Sequence, residues 1–312
     1  MQTPFGELRV NDAHVHFFSH HFFSLLAAQG RTSVEAIAPA LGWDMPPAEP
    51  RELGARWVAE LDRHGVARAA VIASLPGDEA SVGAAVAAYP ERFAGFFMVN
   101  PLAPDAPAVV SAALNAGLRG LCFFPAMQRY PIYDERAVAL MELAAAHPGG
   151  CAIFVHCGVL SVGVRRKLGL PSLFDMRYSN PLDLHHLALR FLKLPFIVPH
   201  FGAGLLREAL MLADLCPNVY LDTSSGNGWM RYEGLDLKAV FTRALAVAGP
   251  ERLLFGSDSS FFPRGWHKAI FESQLAALAA AGAGEAAAHA VFGGNFDRLF
   301  PVRLPAGAGP GA

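Results

Sequence analysis

Residues 9–17 read RVNDAHVHF, a short run of mostly apolar positions carrying two histidines, His14 and His16, two residues apart. Strand side chains alternate with a period of two, so both imidazoles project from one face. Working outward, seven more short β-rich apolar runs follow: 68–74 (RAAVIAS), 93–99 (FAGFFMV), 118–124 (LRGLCFF), 151–156 (CAIFVH), 196–200 (FIVPH), 218–222 (NVYLD) and 253–258 (LLFGSD). Most are bounded by Gly, Pro, Asn or Asp, and segments of helical character separate them, at 51–64, 79–89, 104–116, 134–146, 181–192, 203–215 and 237–248, with 266–281 after the last. Nearly continuous apolar strands alternating with helices imply a parallel sheet covered by helices. Eight such units predict a closed α/β fold, the (β/α)8 TIM barrel. An open doubly wound sheet is the alternative, but neither glycine-rich nucleotide fingerprint follows any of these runs.

The 312 residues fit one large barrel, and we expect a single catalytic domain over residues 1–304 with a flexible low-complexity tail, PAGAGPGA, at 305–312. Apolar residues make up 53% and charged residues 17%, too hydrophobic for a disordered chain. A net charge of −2 without a basic run argues against a nucleic-acid partner. The stretch 143–164 lacks Asp, Glu, Lys and Arg, but Pro148, Gly149 and Gly150 interrupt it, so it reads as a helix end, a turn and a buried strand, with no membrane partner. The four cysteines form no CxxC pair and read as reduced core thiols; with no signal-peptide pattern at the start, the expected location is cytoplasmic. Two connections, 16–51 and 157–180, are long and leave the carboxyl ends of strands, where a barrel carries its active face, so they are expected to roof a pocket.

His156, His200 and Asp258 each end a separate predicted strand. With His14 and His16 they bring five metal-capable side chains to one rim, a mixed nitrogen and oxygen set suited to zinc, Mn2+ or Fe2+. Each has a plainer reading taken alone: a core histidine satisfied by hydrogen bonds, or an aspartate capping a helix.

The sequence resembles the amidohydrolase superfamily, in its aminocarboxymuconate-semialdehyde-decarboxylase-like branch, the amidohydrolase 2 family. The resemblance spans nearly the whole chain: DAHVH, PERFAGFFMVNP, GLRGLCFFP, IFVHCG, PHFGAG, NVYLDTSS, LLFGSDSSF and VFGGNFDRLF, in that order. It implies that His14, His16, His156 and Asp258 ligate one divalent metal, with Zn2+ the first expectation, and that His200 hydrogen-bonds the water at the metal or the substrate. Some amidohydrolases carry a carboxylated lysine in the fourth strand to bridge two metals. Here Cys122 stands in that strand and no lysine does, which implies a mononuclear site. The family also suggests a homodimer.

The resulting expectation is a metal-dependent hydrolase acting on a small carbonyl-bearing or cyclic substrate, with His200 taking a proton from water and Asp258 passing one to the leaving group. The alternatives are a non-oxidative carboxy-lyase acting on an unsaturated or aromatic acid and, third, a barrel that binds metal or ligand without catalysis. Basic residues are sparse in the predicted rim loops, which points toward hydrolysis. Phe17, Trp229 and Arg231 are the candidates for substrate contact, Phe17 together with Phe18, Phe22 and Phe23. Asp222, ending the seventh strand, competes with Asp258 and is read as a supporting residue, and Asp12 as a structural hydrogen-bonding partner. His20, His21, His185, His186 and His267 carry weaker claims.

Overall fold

The computed structural model describes residues 1–302, so the expected tail at 305–312 lies outside the described residues. All eight expected strands form: β1 (Val10–His16), β2 (Val66–Ala73), β3 (Phe93–Met98), β4 (Gly120–Phe123), β5 (Ala152–Val155), β6 (Phe196–Val198), β7 (Val219–Asp222) and β8 (Leu253–Leu254). They pair in sequence order as one parallel eight-stranded sheet with helices between them, a nearly closed (β/α)8 barrel. A small antiparallel hairpin, Gln2–Thr3 with Gly6–Glu7, precedes β1; its two-residue strands are too short to show an apolar pattern. Among the described residues no helix is long and apolar enough to cross a membrane.

Both faces of the strands are buried, which is why they read as continuous apolar runs. In β2, Ala70 and Ile72 point into the barrel beside Phe96, Cys122 and Phe154, while Ala69, Val71 and Ala73 pack outward under the helices. Phe296 and Phe300 join the interior cluster from the C-terminal helical segment. Cys122 is fully buried there, and burial pushes its thiol well above the ordinary range, consistent with an inert core residue.

The seam between β8 and β1 is irregular. The Ala13 amide donates to Phe255 O (2.8 Å), the His16 amide to Ser259 O (2.7 Å) and the Asp258 amide to His14 O (3.0 Å). Buried Asp12 ties the seam, accepting from the amides of His14 and Ser257 (3.0 Å each), the Ser257 hydroxyl (2.5 Å) and the Trp266 indole (2.7 Å). Burial pushes the Asp12 carboxyl up to about 6 against those donors. Gly256 allows the seam to close: a Cβ there would lie 2.8 Å from Asp222 Oδ1, His14 Cβ and Ser224 Cβ.

The long connections do roof the pocket, and they are helical where the sequence suggested loops. The first carries helices His20–Gln29 and Val34–Leu41; the second carries Gly163–Lys167. Ser19 caps the first roof helix, accepting from the Phe22 amide (2.9 Å) while its hydroxyl donates to buried Asp78 (2.6 Å).

Candidate metal centre

His14 and His16 leave the carboxyl end of β1 into a cavity of about 830 Å³ at the barrel mouth, which His156, His200 and Asp258 also line. Three of these lie just beyond strands: β5 stops at Val155, β6 at Val198 and β8 at Leu254. His200 (φ 57°) and Asp258 (φ 59°) then adopt left-handed backbone, a conformation that L-residues hold only when their surroundings enforce it and that recurs at functional sites. Gly158 (φ +72°) lets the β5 and β6 loops meet, since a Cβ there would sit 2.1 Å from Gly202 O.

His14, His16 and Asp258 offer ligand atoms within 4.8 Å of one another. Asp258 Oδ1 lies 3.1 Å from His16 Nε2 and 3.8 Å from His14 Nε2. Ligand edges around a tetrahedral ion with bonds near 2.1 Å are roughly 3.4 Å, so this spacing suits one cation. His156 does not join that group; it stands on the same wall, its ring 5.3 Å from that of His200. The fit is supported by two buried nitrogens with no hydrogen-bond partner, His14 Nε2 and His156 Nδ1. A buried donor or acceptor without a partner is costly; coordination would satisfy His14 Nε2 as placed, and His156 Nδ1 once its ring moved toward the cluster.

Neighbouring groups orient each ring from behind. His14 Nδ1 donates to fully buried Asp222 (2.6 Å), leaving the Nε2 lone pair to face the cavity. His16 Nδ1 meets the Ser74 hydroxyl (2.6 Å), which itself donates to Ile72 O (3.1 Å); with a proton on Nδ1, Nε2 would be the ligating atom, and it now faces Asp258 Oδ1 at 3.1 Å, a contact that a cation would replace. Ser224 Oγ sits 3.0 Å from His14 Nδ1 and 2.9 Å from His200 Nδ1. His200 Nδ1 also faces the Ser224 carbonyl at 3.2 Å, an acceptor only, which places the proton on Nδ1 and leaves Nε2 bare. Asp222 thus takes the supporting position, and Ser74 and Ser224 are contributors the sequence reading missed. Their only signal was their position in polar residues directly after a strand.

Burial pulls all four imidazoles toward the neutral form. For His156 it is reinforced by His200 and His14 and for His200 by His14, so both lie below the usual histidine value. His16 is also lowered by burial, against Asp258. In His14 burial is outweighed by Asp222, Asp258 and Asp12, and its pKa is raised. Burial would raise the Asp258 carboxyl, but the His16 hydrogen bond and the neighbouring imidazoles hold it well below the usual carboxylate range.

Of Phe17, Phe18, Phe22 and Phe23, Phe18 and Phe22 line the cavity; Phe17 is fully buried in the outer core, its amide bonded to Ile72 O (2.9 Å). The cause is the alternation that puts His14 and His16 on one face: position 18 shares it and position 17 faces the helices. Trp229 lines the cavity, its indole donating to Asn227 (2.9 Å), and Arg231 lies exposed at its mouth, leaning on the Tyr232 hydroxyl (3.0 Å). His20, His21, His185, His186 and His267 are not among the cavity's lining residues. The expected scarcity of basic residues at the rim is overturned: Arg165, Arg166, Lys167, Arg231 and Arg264 all line the cavity. The first three come from the second connection, which folds as a helix over the opening.

The amidohydrolase family model matches residues 11–302. No curated protein sequence matches the chain. Among solved structures, 5-carboxyvanillate decarboxylase LigW from Sphingomonas paucimobilis is similar with a TM-score of 0.64 and 18% identity over 95% of this chain and 100% of that one. A probable 2-pyrone-4,6-dicarboxylic acid hydrolase from Acinetobacter baumannii, with citric acid bound, gives 0.60 and 14% over 94% and 99%. An amidohydrolase from Burkholderia multivorans with bound zinc gives 0.59 and 16% over 95% and 100%. At these identities the likeness concerns the fold.

Proposed function

Because the chain belongs to the amidohydrolase 2 family, a family of enzymes, we propose that it is a metal-dependent hydrolase acting on a small, cyclic or otherwise carbonyl-bearing molecule. His14, His16 and Asp258, with His156 as a fourth donor, would hold one divalent cation, zinc first and Mn2+ or Fe2+ next. When bound, such a cation acidifies water and polarises a carbonyl. His200 receives the proton of the attacking water at Nε2, the atom that its Nδ1 contact with Ser224 O leaves unprotonated. Its lowered pKa keeps it neutral and ready to accept near pH 7. Asp258, held ionised among three imidazoles, serves as ligand; a proton it receives passes readily to the leaving group, because its conjugate acid is strong. Water adds to the carbonyl carbon, the bond to the leaving oxygen or nitrogen breaks, and the leaving group departs protonated.

The observation that carries this reading is the orientation of His200 beside the His14, His16 and Asp258 cluster. A second reading, a carboxy-lyase, is favoured by the five cations lining the cavity, which suit an acid. Isotopes separate the two. Lactones and aromatic acids are offered to the metal-loaded protein in 18O-water and in D2O. Hydrolysis places 18O in a new carboxylate, whereas decarboxylation releases CO2 and leaves deuterium on carbon. His200→Ala should keep its metal content and lose about 10²- to 10⁴-fold in turnover. Turnover by His200→Ala at the wild-type rate, or deuterium incorporation with CO2 release as the sole reaction, overturns the hydrolase reading.

A further inference from the structure

We infer that Glu60 and Trp266, which belong neither to the cavity lining nor to the metal cluster, are positioning residues for Asp258: they close the base of the 257–267 loop and so hold its carboxylate where it can ligate. This rests on the reading above, in which Asp258 is a ligand, and adds to it two residues that act only through others.

β8 ends at Leu254, and the chain runs on to residue 267 without a helix or a regular strand. That stretch carries Asp258 together with Ser260, Phe261 and Arg264, which line the cavity. A segment with no ladder of backbone hydrogen bonds keeps one shape only where side chains tie its ends. Asp258 needs such ties, because its left-handed backbone (φ 59°) is not one that an aspartate adopts by preference.

The inner tie is Asp12. Its Oδ2 accepts the Ser257 hydroxyl (2.5 Å) at the start of the loop and the Trp266 indole (2.7 Å) at its end, so both ends meet on one buried oxygen. Ser259 Oγ repeats the closure by accepting the His267 amide (2.8 Å). The outer tie is Glu60, on the helix Pro50–His64 that packs against the outer core. Its Oε1 accepts the Trp266 amide at 2.8 Å, and the residue is only 8% exposed. Gly265 (φ +66°) makes room for this approach: a Cβ there would lie 2.2 Å from Glu60 Oε1. A buried carboxylate is costly unless its oxygens are bonded, and Glu60 shares that oxygen between Arg63 (2.7 Å) and the loop. Trp266 is thus held twice, by its amide from outside the barrel and by its indole from inside. Its ring centre lies 5.1 Å from that of His64 and 5.6 Å from that of Phe271. Such ring contacts fill space, whereas the two hydrogen bonds add direction. They fix where the loop leaves and re-enters the barrel, and with it Asp258 Oδ1, 3.1 Å from His16 Nε2.

The test uses the full chain and Co2+ as probe, an ion that takes the nitrogen and oxygen ligands zinc takes and whose visible bands report their geometry. Each metal-free protein is titrated with Co2+ against a chelator and, separately, melted without metal. Trp266→Phe, which keeps an aromatic ring and loses the indole N–H, should raise the Co2+ dissociation constant about tenfold or more and alter the visible bands. Glu60→Ala should raise it about fivefold or more. Glu60→Gln, whose amide oxygen still accepts the Trp266 N–H, should stay within about threefold of wild type. Val110→Ala, a change in the outer core, should lower the melting temperature and leave Co2+ affinity within about threefold, which separates positioning from general destabilisation. Trp266→Phe and Glu60→Ala proteins that melt lower yet bind Co2+ within about twofold of wild type, with unchanged bands, overturn the assignment. So does a Glu60→Gln protein as impaired as Glu60→Ala. The two Glu60 variants, on an outer helix, decide the matter by themselves where Trp266→Phe does not fold. Failure of the metal reading shows separately, as wild-type protein that gives no cobalt bands, and removes this inference with it.

Discussion

Replacing Asp222 with asparagine removes one charge and one acceptor from the most buried part of the site. Asp222 spends one oxygen on each of two donors: Oδ2 receives His14 Nδ1–H at 2.6 Å, and Oδ1 receives the Ser224 amide at 2.7 Å. Asparagine has only one oxygen. If its NH2 faces Ser224, two donors confront each other in a fully buried place, at a cost of about 1–3 kcal/mol. If its NH2 faces His14, the imidazole must accept at Nδ1 and carry its proton on Nε2, where it can no longer ligate a cation. Either arrangement taxes the metal-competent state. At about 1.4 kcal/mol per tenfold, the metal dissociation constant should rise roughly 10- to 100-fold, in line with the usual effect of losing a partner behind a ligand. A competition titration against a chromophoric chelator reads this directly, and melting of the metal-free proteins separates it from general destabilisation. A dissociation constant within threefold of wild type would refute the claim that Asp222 sets the His14 tautomer.

Phe17→Ala and Phe18→Ala should part company. The first opens the outer core and should cost about 3–5 kcal/mol in denaturant unfolding with little change in KM for the protein that remains folded; the second should raise KM at a smaller stability cost. Reversal of that pattern would return Phe17 to the substrate. Stability should also carry the signature of Asp78, whose carboxyl burial pushes up to about 6. Between pH 4 and pH 6 the unfolded chain has released this proton while the folded one retains it, so folded stability falls as pH rises and the group contributes most at low pH. Relative to Asp78→Asn, wild type should lose about 2 kcal/mol over that interval in chelator-treated urea titrations; parallel curves for the two proteins would contradict the burial argument.

The architecture was legible before any coordinates, because a strand buried on both faces must be apolar almost throughout, and eight such runs separated by helices leave few topologies. The period of two likewise put His14 and His16 on a common face, and the ends of β5, β6 and β8 pointed to His156, His200 and Asp258. The same period, carried one step further, would have favoured Phe18 over Phe17. The seam was hidden: only two residues of β8 pair regularly, and the rest is held by Asp12 and by turns with positive φ, which no hydrophobic pattern encodes.

The side chains that tune the site come from distant parts of the chain. Asp222 reaches His14 across 208 residues and Ser74 reaches His16 across 58. Such contacts depend on how the closed sheet curls, and a linear pattern carries no record of them. Charge shows the same division. The amino-acid sequence by itself determined a nearly neutral, apolar chain folding as a barrel with histidines at its rim. Only the tertiary structure decided that five cations gather over that rim, because a charge acts through the distance to its neighbours in space, and those distances exist only once the roof has folded.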